Sequence, residues 1–182
     1  MSNNIKLALT SMFSALVILF DYSLKFFQLK IPFFWFTVLK FDFTGVPIVL
    51  SYFFVGLSSS AIVSFIAFLA IVLRSGNIVS AFAKGIAEFS TILGIWLAYK
   101  LSLKSMIYNY IFAIFSRCLV MFFVNLLILP FIMFMPFESV IQMLPIITIF
   151  NIIQGSISVL IGYIIYTKLQ GFPPIKRLKF SL

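Results

Sequence analysis

The sequence contains no histidine, one cysteine and only four acidic residues among 182. Each shortage closes off a class of function. With no histidine and Cys118 alone, the chain has neither a Cys/His zinc site nor an internal disulfide. It lacks a glycine-rich loop of the Walker type, so it carries no ATP-hydrolysing motor of that kind. It has no His-x-Glu, Glu-x-x-His or Gly-x-Ser-x-Gly arrangement, and no paired nucleophile and base. Charge is the deepest shortage. Charged residues make up 9% of the chain, against roughly 25% in a soluble domain. So few charges cannot cover a surface in water, and hydrophobic residues reach 63%. The chain reads as an all-α integral membrane protein.

What charge there is carries a strong sign, with 13 Lys and Arg against the four acids. A nucleic-acid binder would gather its cations on one soluble face. Here they sit mostly at the ends of apolar runs, where they anchor spans to phospholipid headgroups. A bilayer, not a nucleic acid, is the expected partner.

A helix needs about 20 apolar residues to cross the hydrocarbon core. The first candidate runs from about Ile5 to Leu24. Part of it resembles a signal-peptide core, but no small-x-small cleavage site follows, so it is expected to stay as a permanent span. Lys25 to Gly45 mixes charge with aromatics and reads as an interfacial loop. The charge-free run Val46–Leu73 is long enough for one helix, but Gly56 and Ser58-Ser59-Ser60 suit a tight turn between two short ones, 46–57 and 58–74. Further spans are expected at 78–99, 105–129 and 144–167, with a loop holding Pro136, Glu138 and Pro145 before the last. The whole forms one transmembrane domain.

Positive charge orients these spans but leaves two solutions. With six spans and cytoplasmic termini, Lys6, Lys100, Lys104, Lys168, Lys176, Arg177 and Lys179 face inward, and Lys25, Lys30, Lys40 and Arg74 face outward. With five spans and an external N-terminus, the first loop turns inward as well. Both solutions place Lys100, Lys104 and the C-terminal tail in the cytoplasm.

Ionisable and amide groups within spans are costly and need a reason. Lys84 and Glu88, one turn apart, share a face and can neutralise each other. Arg117 is close enough in the pattern to reach Glu88 across a helix interface. These charges either line a polar cavity or lock helices together. Asn125, Asn151 and Gln154 either bridge helices or present donors and acceptors to the edge of a planar ligand. Ala8, Ser11 and Ala15 fall on one stripe of the first span, suited to close approach by another helix inside or outside the chain. Phe33-Phe34-Trp35-Phe36 reads as an interfacial aromatic belt or as a lid over a flat ligand.

Several of these segments, taken in order, resemble the substrate-binding subunits (S components) of energy-coupling factor transporters, the riboflavin type in particular. Leu39-Lys40-Phe41-Asp42-Phe43-Thr44-Gly45-Val46-Pro47 resembles their first-loop motif. Ala87-Glu88-Phe89 falls where their fourth helix has a Glu, and Arg117 through Met121 and Asn125 to Pro130 resembles their fifth helix. Phe150-Asn151-Ile152-Ile153-Gln154-Gly155 resembles the start of their last helix. Two positions depart from the pattern: Gly45 stands where a second Asp is usual, and Gln154 where a Lys is usual. The resemblance implies six helices in an S-component-like bundle, cytoplasmic termini and a pocket near the outer face closed by the first loop. It implies no enzyme activity and no cofactor, with riboflavin as transported ligand. The site residues it implies are Phe41, Asp42, Phe43, Thr44, Glu88, Asn125, Asn151 and Gln154. The partners it implies are a transmembrane coupling subunit, met by Ala8, Ser11 and Ala15, and two ATPases.

Overall fold

The computed structural model describes residues 2–103 and 105–170, with Val38 described in its backbone only. Six helices and one hairpin follow in order: α1 Asn3–Phe26, β1 Ile31–Phe33, β2 Phe36–Phe41, α2 Gly45–Val55, α3 Leu57–Ser75, α4 Ile78–Lys100, α5 Met106–Phe131 and α6 Phe137–Gln170. Lys104, Lys176, Arg177 and Lys179, expected on the cytoplasmic side, lie outside the described residues.

Five of the helices are long and apolar enough to cross a bilayer. α2 is not. Its 11 residues rise only about 16 Å at 1.5 Å each, short of a core about 30 Å thick. Every residue of α2 is buried. It is an interior helix, wrapped by α1, α3 and α6. The break after it comes at Gly56, whose φ of 112° is open to glycine and strained for other residues. The 46–74 stretch therefore forms two helices, as its small residues suggest.

The polar pairs fix the run of the chain. Thr10, early in α1, hydrogen-bonds Ser59 at the start of α3 (2.6 Å), and Asp21, late in α1, meets Arg74 at the end of α3. The two helices are parallel, with α2 returning between them. α4 starts at an Asn77 cap that accepts the Ser80 N–H, which satisfies one of the donors a helix start leaves open. It packs closely on α5, where Gly94 lies against the Phe112 carbonyl with no space for a Cβ. Leu9 and Leu169 line one apolar groove, so α1 begins where α6 ends.

The core gathers around α2, from Phe13 and Val17 of α1 to Ile92 and Ile95 of α4 and Val159 and Tyr166 of α6. Outward, the helices carry large bare hydrophobics such as Leu73, Ile107, Phe115, Leu127 and Ile164. Around a protein in water such a continuous apolar surface would drive association. Around five membrane-length helices it is the lipid-facing belt of a multi-pass membrane protein.

One expectation gains detail and one changes. The segment expected as an interfacial loop at 25–45 holds no spanning helix but contains an antiparallel hairpin pairing Ile31 with Phe41 and Pro32 with Lys40. Its alternation was hidden by the Phe-Phe-Trp-Phe turn. The last helix begins at Phe137, not near 144, and holds Pro145 inside it. Proline removes one N–H and its ring crowds the preceding turn, yet the helix continues through it, with the Ile141 carbonyl deprived of its usual donor.

Candidate ligand cavity

At one end of the bundle, where α1, α3 and α5 finish and α4 and α6 begin, lies a cavity of about 860 Å³. That is within the roughly 300–1,000 Å³ of small-molecule sites. The wall is mixed. Leu39, Met121, Ile128, Ile147 and Phe150 give apolar and aromatic surface, with Asp42, Glu88, Asn125, Asn151 and Gln154 set among them.

The hairpin covers part of this cavity and is held to α6 in two ways. Phe41 stacks on Phe150 at 4.9 Å between ring centres, and Phe33 packs against both at 5.6 Å. Such aromatic pairs add about 0.5–1.5 kcal/mol each beyond their buried area. Beside them, Gln154 clamps the backbone of Asp42: Nε2 donates to its carbonyl (2.8 Å) and Oε1 accepts from its N–H (3.2 Å). A primary amide is the side chain that can serve both groups of one residue. The aromatic quartet divides accordingly. Phe33 is 4% exposed and Phe36 faces the cavity, whereas Phe34 (87%) and Trp35 (61%) stand bare at the turn. The quartet thus splits, with Phe33 and Phe36 turned inward and Phe34 and Trp35 turned outward.

A chain of alternating charges ties the hairpin to the helices. Arg74 and Lys30 both bind Asp21, each at 2.5 Å. Lys30 also lies 3.4 Å from Asp42, and Asp42 pairs with Lys84. The Asp42 carboxylate further accepts the Thr44 N–H (3.2 Å) and hydroxyl (2.7 Å), an Asx-type turn that sets the start of α2. Asp42 lies in the connection between β2 and α2, outside the spanning helices. Burial pushes its carboxyl up, but the Lys84 and Lys30 charges, with hydrogen bonds from Lys84 and Thr44, reverse this and hold it well below the usual carboxylate range.

Deeper in the bundle, Glu88 is fully buried and its Oε1 lies 3.2 Å from Arg117 Nη1. The guanidinium directs its hydrogen bonds elsewhere, to Thr91 Oγ1 (3.0 Å), the Ala87 carbonyl (3.4 Å) and Asn151 Oδ1 (3.2 Å). Neither Glu88 oxygen receives a hydrogen bond from the described residues. Lys84 and Glu88, expected to neutralise each other, instead have separate partners. The hairpin delivers Asp42 to Lys84, and α5 delivers Arg117 to Glu88. The cross-helix Arg117–Glu88 contact is as the sequence suggested.

Five of the eight expected site residues, Asp42, Glu88, Asn125, Asn151 and Gln154, line the cavity together. Phe41, Phe43 and Thr44 lie off its wall: Phe41 backs Phe150, Phe43 faces outward and Thr44 braces Asp42. Asn151 and Gln154 are engaged within the protein, Asn151 also donating to the Ile147 carbonyl (2.9 Å), and Asn125 donates to the Met121 carbonyl (2.6 Å). Sequence reasoning passed over Lys25, Lys30, Lys40 and Arg74 as site residues, yet all four line the cavity. The available signal was that they oppose the positive-inside trend. Ala8, Ser11 and Ala15 lie far from the cavity on the outer face of α1, where no helix of the bundle covers them.

The sequence matches no protein-family model and no curated protein. Among solved structures it is similar to the S component of a bacterial ECF transporter, at 27% identity and a TM-score of 0.79, over 94% of this chain and 98% of that one. The chain is thus an all-α, multi-pass membrane protein whose fold is S-component-like.

Proposed function

We propose that this chain is the membrane-embedded substrate-binding subunit of a vitamin importer, and that its ligand is riboflavin or a flavin-related planar compound. The observation that carries the reading is the hairpin-covered cavity, with an apolar and aromatic wall and a buried carboxylate, Glu88, whose oxygens accept no hydrogen bond from the described residues although Arg117 lies 3.2 Å away as counter-charge. A buried acceptor without a donor costs about 1–3 kcal/mol or more when charged. A ligand N–H, such as that of a uracil-like ring, relieves that cost, and the amides of Asn125, Asn151 and Gln154 supply the opposite polarity around it. The ligand's flat face lies against Phe150 and Phe36.

On this reading the cavity end faces outward and both termini lie in the cytoplasm. The subunit performs no chemistry of its own. A transmembrane coupling subunit, docked on the exposed Ala8–Ser11–Ala15 stripe, and two ATPases drive release.

The test is an absorbance spectrum of detergent-purified protein followed by riboflavin titration through flavin fluorescence. A copurified flavin or saturable quenching supports the proposal. Asn151→Leu is expected to weaken binding at least about tenfold, since it removes an acceptor of Arg117 beside Glu88. Full-strength flavin binding by that variant would overturn the placement of the ligand, and no flavin binding by the parent would overturn the choice of ligand.

A further inference from the structure

The cavity's charge points to more than a planar ring. Six cations line it, Lys25, Lys30, Lys40, Arg74, Lys84 and Arg117, against two carboxylates, Asp42 and Glu88. Asp21 adds a third acid just behind the wall through Lys30 and Arg74. These three acids are all committed: Glu88 to Arg117, and Asp42 and Asp21 among Lys84, Lys30 and Arg74. The remaining acid of the chain, Glu138, is exposed at the start of α6, off the cavity wall and in no ion pair among the described residues. Lys25 and Lys40 likewise join no ion pair among the described residues. Three positive charges are therefore left without a counter-charge around one cavity.

That excess is not what membrane topology favours. Lys and Arg concentrate on cytoplasmic loops, yet these cations gather at the opposite end on the orientation proposed above. A neutral vitamin gives no reason for them. An anion does: cations around a low-dielectric cleft focus the field on its mouth and raise the local concentration of a negative solute. Lys25 and Lys40 are the two that can turn to a ligand without surrendering an internal partner.

We infer that the substrate carries an anionic group, a phosphate or carboxylate, which seats at the rim of the cavity against Lys25 and Lys40. This rests on the reading of the cavity as the substrate site and narrows its ligand to a charged class. The same chemistry is offered by lipid headgroups, so the experiment has to separate a soluble anion from a membrane one.

In an uncharged detergent at low salt, riboflavin 5′-phosphate is expected to bind at least about tenfold more tightly than riboflavin, the scale of one charge-assisted hydrogen bond. Added salt and the Lys25→Gln/Lys40→Gln double variant are expected to abolish most of that advantage. A second measurement needs no flavin: inorganic phosphate should protect the parent against thermal unfolding better than chloride of equal ionic strength, and should not protect the double variant. Equal affinity for the two flavins overturns the inference and leaves the importer reading intact. Phosphate protection without any flavin binding keeps the anion and discards the flavin. Absence of phosphate protection overturns the inference whichever flavin binds. If nanodiscs of phosphatidylglycerol, compared with phosphatidylcholine, stabilise the parent but not the double variant, and no flavin preference is seen, the lysines serve headgroups and the inference fails.

Discussion

Arg117 is the residue whose loss the bundle should feel most. It is buried, and it holds together α4, α5 and α6 through Thr91, the Ala87 carbonyl, Asn151 and the Glu88 carboxylate. Arg117→Met keeps most of the volume and removes the charge. It strands Glu88 as a buried carboxylate with no counter-charge, a situation that costs about 3–5 kcal/mol. At about 2–4 °C per kcal/mol for a chain of this size, the melting point should fall by roughly 6–20 °C. Glu88→Gln alone should cost less, since the guanidinium keeps its three neutral acceptors. The Arg117→Met/Glu88→Gln double variant has no stranded charge, so it should recover at least about 2 kcal/mol over the sum of the single losses. The assay is built in. Cys118 is the chain's only cysteine and is partly buried beside Arg117, so a thiol-reactive dye reports opening of α5 on heating. Strict additivity of the two single losses in the double variant would refute the reasoning, because a coupled buried pair cannot be additive.

Ala8→Trp should spare ligand binding and impair uptake in cells that supply the coupling partners, because position 8 is exposed on α1 and remote from the cavity; loss of binding in a folded Ala8→Trp protein would show that the stripe packs the subunit itself. Asp42 sets a pH limit. The Lys84 and Lys30 charges hold its carboxyl below the ordinary carboxylate range, so its contribution is present above that range and is lost as pH falls towards the folded value. The melting point should therefore drop on acidification below about pH 4, and Asp42→Asn should flatten that drop; an unchanged acid slope in Asp42→Asn would refute the assignment.

How much of this was legible in the sequence depends on the range of the interaction. The membrane setting followed from composition, and the break at Gly56 from a local cluster of small residues. Glu88 and Arg117 could be paired from sequence because each is an ionisable group in an apolar span and must find a partner. The Lys84–Asp42 pair could not, because Asp42 reaches Lys84 only after the hairpin folds back onto the bundle, and nothing local distinguishes that partner from Glu88 one turn away. The hairpin itself was obscured by aromatics at its turn, where Gly or Asn would mark a reversal. Pro145 misled for the opposite reason. In a soluble helix proline marks a boundary, but a membrane helix gains little by ending within lipid, where every exposed backbone group is costly.

The two departures from the S-component-like motif receive a physical account. At position 45 a Cβ would come within 2.5 Å of Glu88 Oε2 and overlap Ser158 Oγ, so this packing has no room for an aspartate, and a second carboxylate there would face a buried one. Position 154 can be tested. Gln154→Lys, which restores the usual residue, keeps a donor for the Asp42 carbonyl but leaves the Asp42 N–H without its acceptor. It also adds a positive charge to a cavity that already has an excess. The unsatisfied N–H should cost about 1–3 kcal/mol, and most of that cost can be avoided by releasing the hairpin. Trypsin should therefore cut Gln154→Lys faster at Lys40, which is exposed on β2 and adjoins the clamped segment. Gln154→Glu, which keeps the acceptor and loses the donor, should loosen the same segment while lowering the positive excess. If Lys40 is cut at the parent rate in both variants, the amide clamp does not hold the hairpin, and the Phe41–Phe150 stack must do so alone.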